Sequence, residues 1–116
     1  MTIRYKNQGF KQAGTGKTTV FTCPSDATVI VKSVYCANND TSSSVLVHMN
    51  FVDSSDSSTE YEFFRGDVGA KTQINATPEG LNLEAGDAIT IQAATGSNTI
   101  QGAISYAQID RSQENG

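Results

Sequence analysis

The chain alternates. From residue 45 onward, Val45, Val47, Met49 and Phe51 fall on one parity, and Leu46, His48 and Asn50 on the other. A strand sends successive side chains to opposite faces, so a period of two marks a segment with one buried face. Short β-branched runs of this style recur between residues 18 and 109, each closed by Gly, Pro, Asn, Asp or Ser. No window carries the i, i+3, i+4, i+7 stripe of an amphipathic helix. The pattern therefore confines the chain to an all-β fold.

Strands are predicted at 17–23, 28–37, 44–52, 60–65, 68–77, 81–83, 88–94 and 99–109. The second run, Val29-Ile30-Val31 followed by Val34-Tyr35-Cys36, does not keep one phase. Lys32-Ser33 shifts it, which predicts a bulge or a strand that changes sheets. Phe21, Phe51, Tyr61 and Phe63 fall on predicted core faces, while Tyr35 and Phe64 take the opposite parity. Pro24-Ser25-Asp26, Asn38 to Ser43, Pro78-Glu79-Gly80, Ala85-Gly86-Asp87 and Thr95-Gly96-Ser97-Asn98 read as turns. About eight regularly spaced strands predict an antiparallel β-sandwich, jelly-roll or Ig-like. The domain reading is an extended basic arm at 1–16, the sandwich at 17–110 and a polar tail at 111–116.

A length of 116 residues fits one domain. A chain this size buries somewhat over ~60% of its unfolded surface, enough for one modest core. Only 17% of residues are charged, so Ser, Thr, Asn, Gln and Gly make a surface that is polar but cheap to desolvate. Residues 1–25 carry Arg4, Lys6, Lys11 and Lys17 and no acid, whereas all 12 acids lie beyond them. A basic arm on an acidic body can dock on an acidic surface, including that of an identical neighbour; the alternative is a solvated, mobile terminus. The acidic body argues against nucleic-acid binding, since aromatics interleave with basic residues only at Tyr5 and Phe10.

No stretch approaches the ~20 apolar residues of a membrane span, and the first residues lack the apolar run of a signal peptide. The simplest expectation is synthesis and folding in a cytoplasm. Cys23 and Cys36 form no CxxC and no disulfide framework. They are two buried thiols, or a pair if their strands are neighbours.

Four motifs invite a chemical reading. Gly14-Thr15-Gly16-Lys17-Thr18 resembles the end of a phosphate-binding loop, but Lys11 stands where the first Gly is needed. The stretch also opens a strand, not the helix whose N-terminus would meet phosphate. Asp53, Asp56 and Glu60 fall within eight residues, yet the spacing and missing Gly fail the calcium-loop pattern. His48 has no second ligand at zinc spacing. A Ser-His-Asp arrangement has no nucleophile elbow to support it. No catalytic, cofactor or metal residues are expected, and Asp87 is expected to accept hydrogen bonds from its own turn.

The run from Thr19 to Pro24, continuing through Ala27 to Asn39, resembles small virion proteins of tailed bacteriophages, especially marine and cyanobacterial ones. Tyr5-Lys6-Asn7 matches their opening arm, Leu81-Asn82-Leu83-Glu84-Ala85-Gly86-Asp87 a later turn, and Ser105-Tyr106 their closing strand. The likeness spans about residues 5–109. Pro24-Ser25-Asp26 replaces the Pro-Ala-Gly turn usual there, and the tail after Ile109 is extra.

The resemblance implies a non-enzymatic structural component of the virion, assembled in the host cytoplasm. The favoured placement is a capsid decoration or cement protein that binds major capsid subunits, often as a trimer. The alternative is an adaptor of the neck, tail or fibre. A third reading is a carbohydrate-binding module contacting the host. Contact residues are expected on the arm, at Arg4, Tyr5, Lys6, Phe10 and Lys11, with the arm ordering only on assembly.

Overall fold

A computed structural model describes residues 2–11, 16–77, 80–93 and 100–110. These residues form strands β1 (Thr2–Lys11), β2 (Thr18–Thr22), β3 (Ala27–Asn38), β4 (Val45–Asp53), β5 (Thr59–Val68), β6 (Gln73–Asn75), β7 (Leu81–Leu83), β8 (Ala88–Ala93) and β9 (Ile100–Asp110). Gly14-Thr15, the turn residues 78–79 and 95–98, and the tail 111–116 lie outside the described residues. Gly16-Lys17 leads into a strand, as the rejection of a phosphate loop requires.

The strands make two antiparallel sheets. Sheet I runs β1-β9-β3-β6, with β7 also on β3; sheet II runs β2-β8-β4-β5. Pairing nests from the ends of the chain inward: β1 with β9, β2 with β8, β3 with β6 and β7, and β4 with β5. Every connection crosses between sheets except β4–β5 and β6–β7. With β6 and β7 taken as one interrupted strand, this is the eight-stranded jelly-roll order, which decides between the two sandwich types the sequence allows.

The core lies between the sheets. Val29, Val31, Val34 and Cys36 of β3 face Val45, Val47 and Met49 of β4, with Leu83, Ile89, Ile91, Ile100 and Ile104 completing a fully covered cluster. Each aliphatic side chain buried this way contributes about 1.5–3 kcal/mol. Cys23 and Cys36 are both buried thiols, and no disulfide joins them.

Two bulges set which side chains reach the core. On β3 the register with β9 slips between Val31 and Ser33. Lys32 stays outside while Val31 and Val34 both point inward, as the broken alternation foretold. On β5 the slip places Met49 opposite Phe64 and Asn50 opposite Glu62, leaving Phe63 as the extra residue. This corrects the sequence reading for Phe64, which packs against the core. Phe63 packs there too, and Tyr61 takes the face of its ladder partner Phe51, both as expected, but Tyr61 stacks on Phe51 at a centroid distance of 6.5 Å and remains 49% exposed. A bulge inverts parity beyond it, and β5 has no internal phase break to announce one.

Side-chain acceptors hold the turns. Asp40 Oδ1 accepts from the Ser42 and Ser43 amides at 2.9 and 3.0 Å. Buried Asn38 donates through Nδ2 to the Ser43 and Val68 carbonyls, both at 2.9 Å. Asp87 accepts from the Glu84 amide of its own turn at 2.8 Å, as expected, and also reaches Ser54 on the β4–β5 connection.

The basic segment forms a strand of the sandwich. Every residue of β1 has a partner on β9, from Thr2 opposite Asp110 to Lys11 opposite Gln101. Where the sequence reading had an extended arm lying against a neighbour, the chain's own β9 supplies backbone partners for residues 2–11. Sequence patterning missed the strand because nearly all its side chains are exposed on both faces, leaving no alternation to read.

Candidate interaction surface

Residues directly opposite in a ladder point to the same face, so the registers assign every side chain of each sheet to a side. On sheet I, Val29, Val31, Ile104 and Tyr106 point inward. The intervening positions form the outer face. One row crosses it as Ile3, Ile109 and Thr28; the next runs Tyr5, Ala107, Ile30 and Asn82. Two rows further, Gly9, Ala103 and Tyr35 align.

This face gathers most of the uncovered apolar surface. The exposed large hydrophobic side chains of the described residues are Ile3 at 50%, Tyr5 at 77%, Ile30 at 42%, Tyr35 at 48%, and Tyr61. All but Tyr61 lie on the outer face of sheet I. Scattered single hydrophobics are ordinary on a surface, whereas several on one sheet face make a candidate contact surface. Lys32 Nζ sits 5.4 Å from the centre of the Tyr5 ring, a cation–π contact that orients the ring across the patch. The strand positions of this face carry Lys11 and Lys32 and no acid.

The outer face of sheet II is built differently. His48 Nδ1 meets Glu62 Oε1 at 3.0 Å, and Arg65 Nε donates to Glu62 Oε2 at 3.0 Å. Lys17 Nζ donates to Glu60 Oε2 at 2.8 Å, and Thr90 Oγ1 donates to the other Glu60 oxygen at 3.1 Å. Glu62 is held below the usual carboxylate range chiefly by Arg65, and Glu60 chiefly by Lys17. Here polar groups satisfy one another and stay wet. Sheet I presents exposed apolar side chains among uncharged polar ones and two lysines, and sheet II presents paired charge.

The predicted contact residues share one strand but not one face. Tyr5 and Lys11 point outward on sheet I. Arg4, Lys6 and Phe10 point to the core side, opposite Gln108, Tyr106 and Gly102. Arg4 Nη2 donates to Asp110 Oδ2 at 2.7 Å, and Phe10 packs against the core cluster. Ile3 and Ile30 were not anticipated. The Lys32-Ser33 phase break supplied the signal for Ile30, because with Val29 and Val31 inward the residue between them must face out. Tyr35 was marked as exposed by the same logic.

No group of three or more His, Cys, Asp or Glu among the described residues is placed to hold a metal ion. No described helix is long and apolar enough to cross a membrane.

No protein family matches the chain, and no curated protein matches it. Solved structures do. A chain of the acidic stable capsid structure of Helicobacter pylori bacteriophage KHP30 superposes with a TM-score of 0.60 at 16% identity, covering 97% of this chain and 90% of that one. A subunit of Bacillus endospore appendages, described as a family of disulfide-linked pili, superposes with a TM-score of 0.53 at 14% identity, covering 96% and 90%. What the three share is a fold. At these identities the likeness speaks of architecture, and it spans the neighbours nearly end to end.

Proposed function

We propose that this chain is a non-enzymatic structural protein of a tailed-phage virion, a decoration or cement protein that lies on major capsid subunits through the outer face of sheet I. The observation that carries this reading is the asymmetry of the two faces. Ile3, Tyr5, Ile30 and Tyr35 stand uncovered on sheet I, while Glu60 and Glu62 are internally paired on sheet II. Four exposed large hydrophobic side chains on a sheet face whose strand positions carry no acid suit a contact surface against repeated subunits. The fold likeness to a chain of a phage capsid structure and the sequence resemblance to small virion proteins support the same reading.

Localising the protein in intact particles by cryo-electron microscopy, with copy number against the major capsid protein, tests it. Hundreds of copies over the shell with sheet I facing inward is the expected result. A dozen copies at one vertex or along the tail would place the protein in the neck or tail. Its absence from particles would overturn the virion reading. An Ile30→Asp, Tyr35→Ala variant should fold normally and fail to incorporate.

A further inference from the structure

The sandwich has two long open edges. β2 spans 5 residues and β6 and β7 span 3 each, and edges this short offer little to pair with. β1 and β5 end their sheets with 10 residues each, and among the described residues each pairs on one side only, with β9 and β4. They stand at opposite sides of the molecule, since β1 lies over β2 at one end while β5 ends the far side of sheet II.

The two edges carry opposite charge in the same spacing. β1 holds Arg4, Lys6 and Lys11 and no acid; β5 holds Glu60, Glu62 and Asp67 against Arg65. Arg4 and Lys6 are two apart, so they share one face of β1, and Glu60 and Glu62 share one face of β5. The opposite faces match as well. Ile3 and Tyr5 stand beside each other's row on β1, and Tyr61 is the exposed aromatic of β5.

We propose that β1 of one copy adds to the outer edge of β5 of a second copy. The added strand sets Arg4 and Lys6 against Glu60 and Glu62, and Ile3 and Tyr5 against Tyr61. Arg4 already meets Asp110, Glu60 meets Lys17 and Glu62 meets Arg65 and His48, so the contact extends these ion pairs across the two copies. Edge addition satisfies the outward backbone groups of both strands, and like charge disfavours the competing β1–β1 and β5–β5 pairings. The Phe63 bulge confines the ladder to the 59–62 side of β5. Because the two surfaces differ, the contact is head-to-tail and builds a ring where the rotation closes. This proposal does not depend on the virion reading.

The test uses the purified full chain, without any particle, in sedimentation analysis at low salt. Self-association that weakens with added salt is expected. Arg4→Glu with Lys6→Glu should raise the dissociation constant about tenfold or more, and so should Glu60→Lys with Glu62→Lys. Mixing the two variants should restore association into assemblies in which they alternate, because both the swapped and the original charge pairing are then available. Circular dichroism confirms that each variant is folded. A strictly monomeric wild type, association untouched by either variant, or a mixture that stays monomeric would each overturn the proposal.

Discussion

The ring of Phe10 lies over Gly102, its partner across the β1–β9 ladder, in the space a side chain at position 102 would need. A Cβ there would stand 2.8 Å from Phe10 Cζ and would also collide with the Tyr35 carbonyl oxygen of β3. Gly102→Ala should therefore cost about 3 kcal/mol or more by overpacking, and because the Tyr35 carbonyl is backbone while the Phe10 ring can turn aside, it should loosen the β3–β9 ladder first. Urea unfolding gives the first quantity, and amide exchange along residues 33–38 and 100–105 gives the second. A variant of wild-type stability with these amides fully protected would contradict the packing described.

Asp87 is 2% exposed and accepts three hydrogen bonds, from the Ser54 amide, the Ser54 hydroxyl and the Glu84 amide. Asp87→Asn replaces one acceptor oxygen with a donor facing a donor. A destabilisation of about 1–3 kcal/mol is expected, read from the urea midpoint at unchanged slope. Ser54→Ala should cost less, because it removes a hydroxyl and leaves the backbone donor in place.

Acid should release β1 before the core melts. The Asp110 carboxyl is held below its usual range, first by the Gln108 amide and further by the Arg4 guanidinium, with Lys6 adding a weaker attraction. A carboxylate depressed in the folded state stabilises fully above its unfolded value of about 3.9, and that contribution is lost as pH falls through the lower folded value. Chemical shifts of β1 amides followed down through this window should report the release. Asp110→Asn should flatten that response, while Asp40, Glu60 and Glu62, also depressed, report on other strands.

Burial pushes the Cys36 thiol up to about 11. A neutral, covered thiol is a poor nucleophile. Ellman's reagent at pH 8 should find no reactive thiol in the native protein and two after denaturation. Rapid native labelling of Cys36 would show that the β3–β9 pairing opens far more readily than this packing allows.

Much of the sandwich was legible because its inner strands have one wet face and one dry face. The alternation of β4 and the phase break at Lys32-Ser33 translated directly into the observed core and bulge. Two features were not legible. β1 exposes both faces, so hydrophobic patterning had nothing to report, and only the β9 backbone makes it a strand. The Phe63 bulge sits among three aromatics within four residues, Tyr61 and Phe63-Phe64 flanking Glu62, where either parity would look apolar. The contact surface was half legible: Tyr5 and Tyr35 could be named, but their gathering with Ile3 and Ile30 depends on the pairing of strands far apart in sequence.

The partnership of Thr2 with Asp110 also governs the order in which the molecule can form. Joining these positions closes almost the entire chain into one loop, the costliest closure in the fold, whereas β4 and β5 meet across a short connection. The hairpin and the β3–β9 core are expected to gain protection early in pulse-labelled refolding, and β1 last. If β1 does close last, a basic strand stays open through most of folding to exchange between one copy and the next.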